Sequence, residues 1–292
     1  LSALCAALLL ASGLGASPST AQDGGQNMLW TLSKNGNTAG YLVGSVHFMK
    51  PEAYPLPAAY DDAFVAAEVL AFETNLDSAQ AQSQTLIRRL GMYTGSKTLK
   101  TELADSTYAL LQARTDSLGL NLTRMQKLEP WVMSMVVPVT QMQRAGYSGQ
   151  SGIDRHFFTK AKKADKERTA FETPAQQMGF FDQFPSARQE AFLRYSLQEA
   201  ARNVQRMDDM TAAWMAGDTE QLETFMQDQM QTNFPDLYQT LIVERNQNWM
   251  PQITALLDDE RRPMIVVGAG HVVGEEGLVT LLREKGYTVT QQ

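Results

Sequence analysis

Two short phrases each occur twice in this chain, and every copy closes an apolar run suited to a β-strand. Gly44-Ser45-Val46-His47 follows Tyr41-Leu42-Val43, and Gly268-Ala269-Gly270-His271 follows Met264-Ile265-Val266-Val267. Ala71-Phe72-Glu73-Thr74 ends the run begun by Val69-Leu70, and Ala170-Phe171-Glu172-Thr173 ends the one begun at Thr169. Short β-branched and aromatic runs bounded by glycine read as strands, and the glycine lets the backbone turn sharply where the strand stops. Four strands ending on two imidazoles and two carboxylates point to an open α/β sheet, in which chemistry gathers beyond the carboxyl ends of the strands. His47, His271, Glu73 and Glu172 are therefore expected at one site, a metal-like or acid/base constellation.

The first strands form a hairpin: Leu29-Trp30-Thr31-Leu32 and Ala39-Gly40-Tyr41-Leu42-Val43 flank Asn35-Gly36, a two-residue turn signal. A helix from Ala58 to Glu68, led in by Tyr54-Pro55-Leu56-Pro57, completes a β-α-β unit with the strand ending at Glu73. Residues 77–145 read as helical with breaks at Gly91–Gly95 and Gly119, and a further helix over His156–Ala164 leads to the strand ending at Glu172. Pro185 is expected to open the longest helix, with Leu193, Leu197, Ala201, Val204, Met207 and Trp214 on one stripe and Gly217 at its end. Asp218 with Gln221 suggests a capped helix to Met230, and helical residues 241–257, the strand at Met264, a helix over Gly274–Lys285 and a strand over Tyr287–Thr290 follow. The central sheet is thus built from both ends of one α/β domain, over 28–292, with a large helical insertion at about 77–145 and 185–257.

Leu4 to Ala11 is apolar but too short to span a bilayer, and Ser19-Thr20-Ala21 suits signal peptidase, so residues 1–21 are expected to be an export signal whose start is cut short. Residues 22–27 are expected to be a linker. Cys5, the one cysteine, lies in the leader, so the mature chain would hold no disulfide, and the protein is expected in the periplasm or secreted, without a stable membrane span. A net charge of −7 and a pI of about 5.1 argue against nucleic acid as a partner.

Neutral imidazole suits zinc, manganese, cobalt or iron, and a glutamate can complete the shell or act as base; the alternative is a pair of hydrogen-bonded histidines at strand ends. Arg245 can clamp a carboxylate or stabilise an oxyanion and Asn246 can orient a substrate or a water, or both can be part of a solvated helix face. Asp154 reads as an N-cap of the helix bearing His156, and His156 as structural. Met207, Met210, Met215, Met226 and Met230 read as core filling. P-loop, dinucleotide-binding, GxSxG and HExxH patterns are absent from the sequence.

Leu42-Val43-Gly44-Ser45-Val46-His47, Tyr54-Pro55-Leu56-Pro57, Gly152-Ile153-Asp154, Phe171-Glu172-Thr173, Glu244-Arg245-Asn246 with Trp249, and Val267-Gly268-Ala269-Gly270-His271 with Gly274-Glu275-Glu276-Gly277 and Gly286-Tyr287-Thr288-Val289 together resemble the TraB/GumN family over about residues 28–290. That family includes the Tiki metalloproteases and a bacterial pheromone-shutdown protein. The resemblance implies a fold related to the erythromycin-esterase-like and ChaN-like group. It also implies an active centre of His47, Glu73, Glu172, Arg245, Asn246 and His271, and a peptidase dependent on manganese or cobalt. The expected activity is hydrolysis of a peptide or exposed protein terminus by metal-activated water. Two alternatives remain: a binding protein that sequesters a peptide, haem or metal ion, and a metal-free esterase with His47 as base.

Overall fold

In the opening hairpin, β1 (Leu29–Lys34) and β2 (Asn37–Ser45) pair antiparallel around a turn in which Asn35 and Gly36 have φ of 53° and 82°. Both values fall in the left-handed region that a type I′ turn requires, which Asn-Gly tolerates best. In this computed structural model the described residues are 26–292, apart from the side chains of residues 201 and 226–229. The expected export signal and most of the linker lie outside them. The end of the linker is tied to the sheet edge, where the Asn27 amide donates to the Gln292 carbonyl.

The other strands are β3 (Val69–Thr74), β4 (Glu167–Glu172), β5 (Met264–Gly268) and β6 (Thr288–Gln291). All six form one sheet in the order β4-β3-β5-β2-β1-β6. The four central and edge strands β4, β3, β5 and β2 run parallel, while β1 and β6 are antiparallel additions. β5, from the far end of the chain, lies between β2 and β3, so the first β-α-β unit is opened by a strand that arrives late. The register pairs Ser45 with Gly268 and Thr74 with Glu172, which levels the four carboxyl ends at one edge.

Helices α1 (Ala58–Ala66) and α7 (Ile153–Lys163) pack against the sheet through Tyr60, Phe64, Phe157 and Phe158. A second core forms among α2 (Leu76–Leu90), the short α3 (Leu99–Glu102), α4 (Asp105–Ser117), α5 (Leu122–Met125), α6 (Pro130–Arg144) and α9 (Ser186–Gln198), around Trp131, Met133, Leu193 and Leu197. Between β4 and α9 lies α8 (Pro174–Asp182), opened by a reciprocal Thr173–Gln176 capping box.

The long helix expected after Pro185 is two helices, α9 and α10 (Ala200–Met215), divided at Glu199. Its apolar stripe serves two different cores, since Leu193 and Leu197 face the helical cluster whereas Trp214 belongs to the sheet core. The break at Glu199 separates the segment that packs in one core from the segment that packs in the other. Trp214 Nε1 donates to the Gly44 carbonyl, tying α10 to the turn that presents His47. α11 (Thr219–Asn233) is capped by Asp218 as its sequence indicated. α12 (Pro235–Tyr238), a π turn over Gln239–Val243 and α13 (Glu244–Asp258) follow as one winding path, and α14 (Leu278–Glu284) precedes β6. Among the described residues no helix is long and apolar enough to cross a membrane.

Candidate active site

His47, Glu73, Glu172 and His271 all come to the carboxyl edge of the parallel strands, and Arg245 enters from α13 between them. The guanidinium is the hub. Its Nε and Nη2 donate to Glu172 Oε1 and Oε2, each at 2.9 Å, Nη2 also reaches Glu73 Oε2 at 2.7 Å, and Nη1 meets His271 Nε2 at 2.9 Å. The Trp249 ring, 4.7 Å from the guanidinium carbon, supports it and donates its Nε1–H to Glu172 Oε1. Two buried carboxylates this close would repel each other, and a cation shared between them offsets both that repulsion and their desolvation. Arg245 remains charged, because its loss of water is outweighed by Glu73 and Glu172.

The two histidines have opposite surroundings. His271 is buried, and burial lowers its pKa to about 3, so it is neutral. Asn246 Nδ2 donates to the carbonyls of His271 and Glu276, which leaves Oδ1 to accept from His271 Nδ1 at 2.7 Å. The proton is thereby assigned to Nδ1 and the lone pair to Nε2, on the Arg245 side. His47 lies at the mouth with 57% of its side chain exposed, and its Nδ1 meets Asp154 Oδ2 at 3.0 Å. Asp154 raises its pKa to about 9, although water reaches the ring and screens part of that pull. In the neutral form of His47 the lone pair again falls on Nε2.

Glu73 accepts the Gly268 amide at Oε1, 2.7 Å away, and the Gln177 amide at Oε2. Burial pushes its pKa up, but the neighbouring His271, Arg245 and His47 and the Gly268 amide together outweigh this and hold it at about 2. Since His271 is neutral, the standing charges are those of Arg245 and protonated His47. Gly268 supplies more than the amide. A Cβ there would sit 3.1 Å from Glu73 Oε1 and 3.8 Å from His47 Nε2, so the missing side chain lets these groups converge.

Above this floor opens a cleft of about 470 Å³, lined by Phe48, Phe180, Met207, Met210, Met230 and Ile242 among others. Three methionines read as core filling therefore line a cleft, Met215 is 41% exposed, and the Met226 side chain lies outside the described set. Helical spacing reports that one face is apolar, not whether another helix or a cavity covers it.

Asp154 is also corrected. Gly152 occupies the N-cap position, and Asp154 lies inside the first turn of α7 with its carboxylate on His47. An acidic residue suits that turn whether or not it caps, so only the motif Gly152-Ile153-Asp154 carried a hint of this role. Asn246 is fully buried behind His271 and positions that ring. Gln177, one turn into α8, carried no sequence signal. His156 stands away from the site against Tyr54, with ring centroids 4.9 Å apart.

The family model described as TraB/PrgY/gumN matches residues 28–291, from the first strand to the last. The chain belongs to the TraB/PrgY/gumN family. Two relatives, both called "Uncharacterized protein YbaP" and found in Shigella flexneri and Escherichia coli (strain K12), are each 23% identical over 85% of this chain and 89% of their own length. No solved structure gives a significant match. The family match spans all six residues of the predicted centre and Asp154.

Proposed function

We propose that this TraB-family chain is an exported, metal-dependent hydrolase that cleaves peptide bonds, with a fold related to the erythromycin-esterase-like and ChaN-like group. The observation that carries the reading is the convergence at Gly268 of His47 Nε2 and Glu73 Oε1, with His271 Nε2 4.0 Å from that same carboxylate oxygen. The donor set suits a divalent cation such as manganese, cobalt or zinc: Asn246 leaves the lone pair of neutral His271 on Nε2, and His47, held at Nδ1 by Asp154, would offer its own Nε2 on giving up a proton. Glu73 and Glu172 share one guanidinium while Asp154 pairs with His47, so three carboxylates face two cationic side chains and the remaining negative charge favours a cation. His47 and His271 would hold it, and the ion would supply Lewis-acid stabilisation of charge on the substrate carbonyl.

The chain's own groups divide the remaining work. Both glutamates accept several hydrogen bonds, but Glu73 lines the cleft and Glu172 does not, so Glu73 is the one placed to take a proton from the attacking water. Asp154 fixes the His47 ring. Arg245 Nη1, which meets His271 Nε2 at 2.9 Å, would serve as a donor for the oxygen on which charge develops once that contact is given up. The apolar cleft receives side chains of a peptide. Export to the periplasm or beyond rests on the apolar leader in the sequence.

That same Nη1 contact favours a second reading, metal-free hydrolysis in which His47, held by Asp154, carries the proton. Chelator-stripped protein titrated with manganese, cobalt and zinc separates the two, alongside His47→Ala and His271→Ala and a peptide-library screen with and without chelator. About one bound equivalent, lost in either variant, with hydrolysis that stops on chelation supports the first reading. Hydrolysis that survives chelation supports the second, and ligand-dependent stabilisation without turnover of any peptide sinks both.

A further inference from the structure

Behind the His47 ring lies a second, smaller cavity of about 260 Å³, which shares Ser45, His47, Glu73 and Gln177 with the apolar cleft. Its character is different. Ser45 Oγ, Thr74 Oγ1 and Asp154 Oδ1 all belong to residues lining this cavity, all three atoms are buried, and none has a hydrogen-bond partner. Ser45 is 3% exposed and Thr74 6%. A buried polar atom without a partner costs about 1–3 kcal/mol, so three around one cavity are unusual unless something fills it.

We infer that this cavity is a subsite for a primary ammonium group, most simply the free amino terminus of a peptide whose next bond lies over Glu73. The chemistry is complementary. An ammonium offers three N–H donors and no acceptor, while the wall holds two hydroxyl oxygens and a carboxylate oxygen that can accept once their side chains turn toward the occupant. The surplus negative charge of the site favours a positively charged occupant. The volume is several times the roughly 30 Å³ share of a water molecule, which suits one small residue. With the methionine- and phenylalanine-lined cleft on the other side of Glu73 and His47, a substrate would place a short polar amino end in one cavity and apolar side chains in the other. The inference rests on the hydrolase reading for its orientation but not for its binding chemistry.

The test is binding, read apart from turnover. Alanine amide, N-acetyl-alanine amide and Nα-acetyl-lysine amide are titrated into wild type, Thr74→Val and Ser45→Ala and followed by NMR. Wild type is expected to bind alanine amide at least about tenfold more tightly than its acetylated form, because acetylation removes the charge and two donors and leaves the oxygens unpaired. Thr74→Val keeps the shape, and since the lost hydroxyl had no partner the free protein should be as heat-stable as wild type or more so while the preference falls. Should the valine variant not fold, Ser45→Ala carries the same expectation. Nα-acetyl-lysine amide binding as well as alanine amide would assign the ammonium to a side chain, and weaker binding assigns it to an amino terminus. Equal binding of free and acetylated alanine amide, or a preference retained in both variants, overturns the subsite and leaves a water-filled cavity. A clear amine preference without hydrolysis of any peptide keeps the subsite and sinks the hydrolase, whereas equal binding with hydrolysis of blocked peptides does the reverse.

Discussion

Replacing Arg245 with methionine tests the electrostatic plan of the site directly. The guanidinium makes four hydrogen bonds to the oxygens of Glu73 and Glu172 or to His271 Nε2, all in buried or nearly buried surroundings. Methionine keeps much of the stem and leaves two carboxylates facing each other without a counter-charge. Removing one partner of a buried ion pair costs about 3–5 kcal/mol. For a chain of this length each kcal/mol corresponds to about 2–4 °C in Tm, so the loss should be roughly 6–20 °C at pH 7.5. The variant can escape part of this cost by protonating a carboxylate, so its deficit relative to wild type should shrink between pH 7.5 and pH 5. Pairing it with Glu73→Gln should also recover part of the loss, since one of the two charges is then gone. Thermal and urea unfolding followed by tryptophan fluorescence reads all three effects. An Arg245→Met protein within about 1 kcal/mol of wild type at pH 7.5, with no pH dependence in the difference, would show that the glutamates do not depend on the guanidinium, and the plan above would fail.

Other outcomes follow from the same geometry. Asp154→Asn should lower the His47 pKa from about 9 toward its ordinary value in an NMR titration of the imidazole protons; an unchanged midpoint would remove Asp154 from its assigned role. Gly268→Ala should fold, since its φ of −53° suits alanine, yet lose cation binding because the added methyl crowds Glu73 Oε1; undiminished calorimetric affinity would contradict the cradle. Stability should also depend on pH in both directions. His271, held at about 3, contributes stability present above its ordinary 6.5 and lost as pH falls toward 3, and Glu73, held at about 2, adds to the loss below 4.5. His47, raised to about 9, contributes stability present below 6.5 and lost as pH rises through 9, so Asp154→Asn should flatten the alkaline limb alone in a denaturation series.

The sequence made the strand ends legible because glycine, β-branched runs and the first polar residue after them are local signals. It placed His47, Glu73, Glu172 and His271 at one edge without knowing the strand order, because any parallel arrangement levels carboxyl ends. Arg245 was visible as a candidate, but not as the hub, since its position depends on α13 crossing the sheet edge. The split at Glu199 was hidden because periodicity is blind to a change of packing partner along the helix. Asp154 was hidden for a related reason: a carboxylate in the first turn of α7 satisfies local rules in several directions, and only the approach of the β2 turn decides which one it takes.

The π turn at Gln239–Val243 gives Arg245 a particular history of constraint. The Glu244 amide reaches back five residues to the Gln239 carbonyl, and the Arg245 side chain returns Nη1 to the Leu241 carbonyl. Such a turn holds one residue more than an α-helical path, and each residue rotates a helix by about 100°. Deleting one residue here would give a more regular helix and carry Arg245 about a quarter-turn away from both glutamates. The segment is thus a place where shortening the chain regularises the helix yet leaves two buried carboxylates without their counter-charge, so the extra residue serves both the stability of the site and its chemistry.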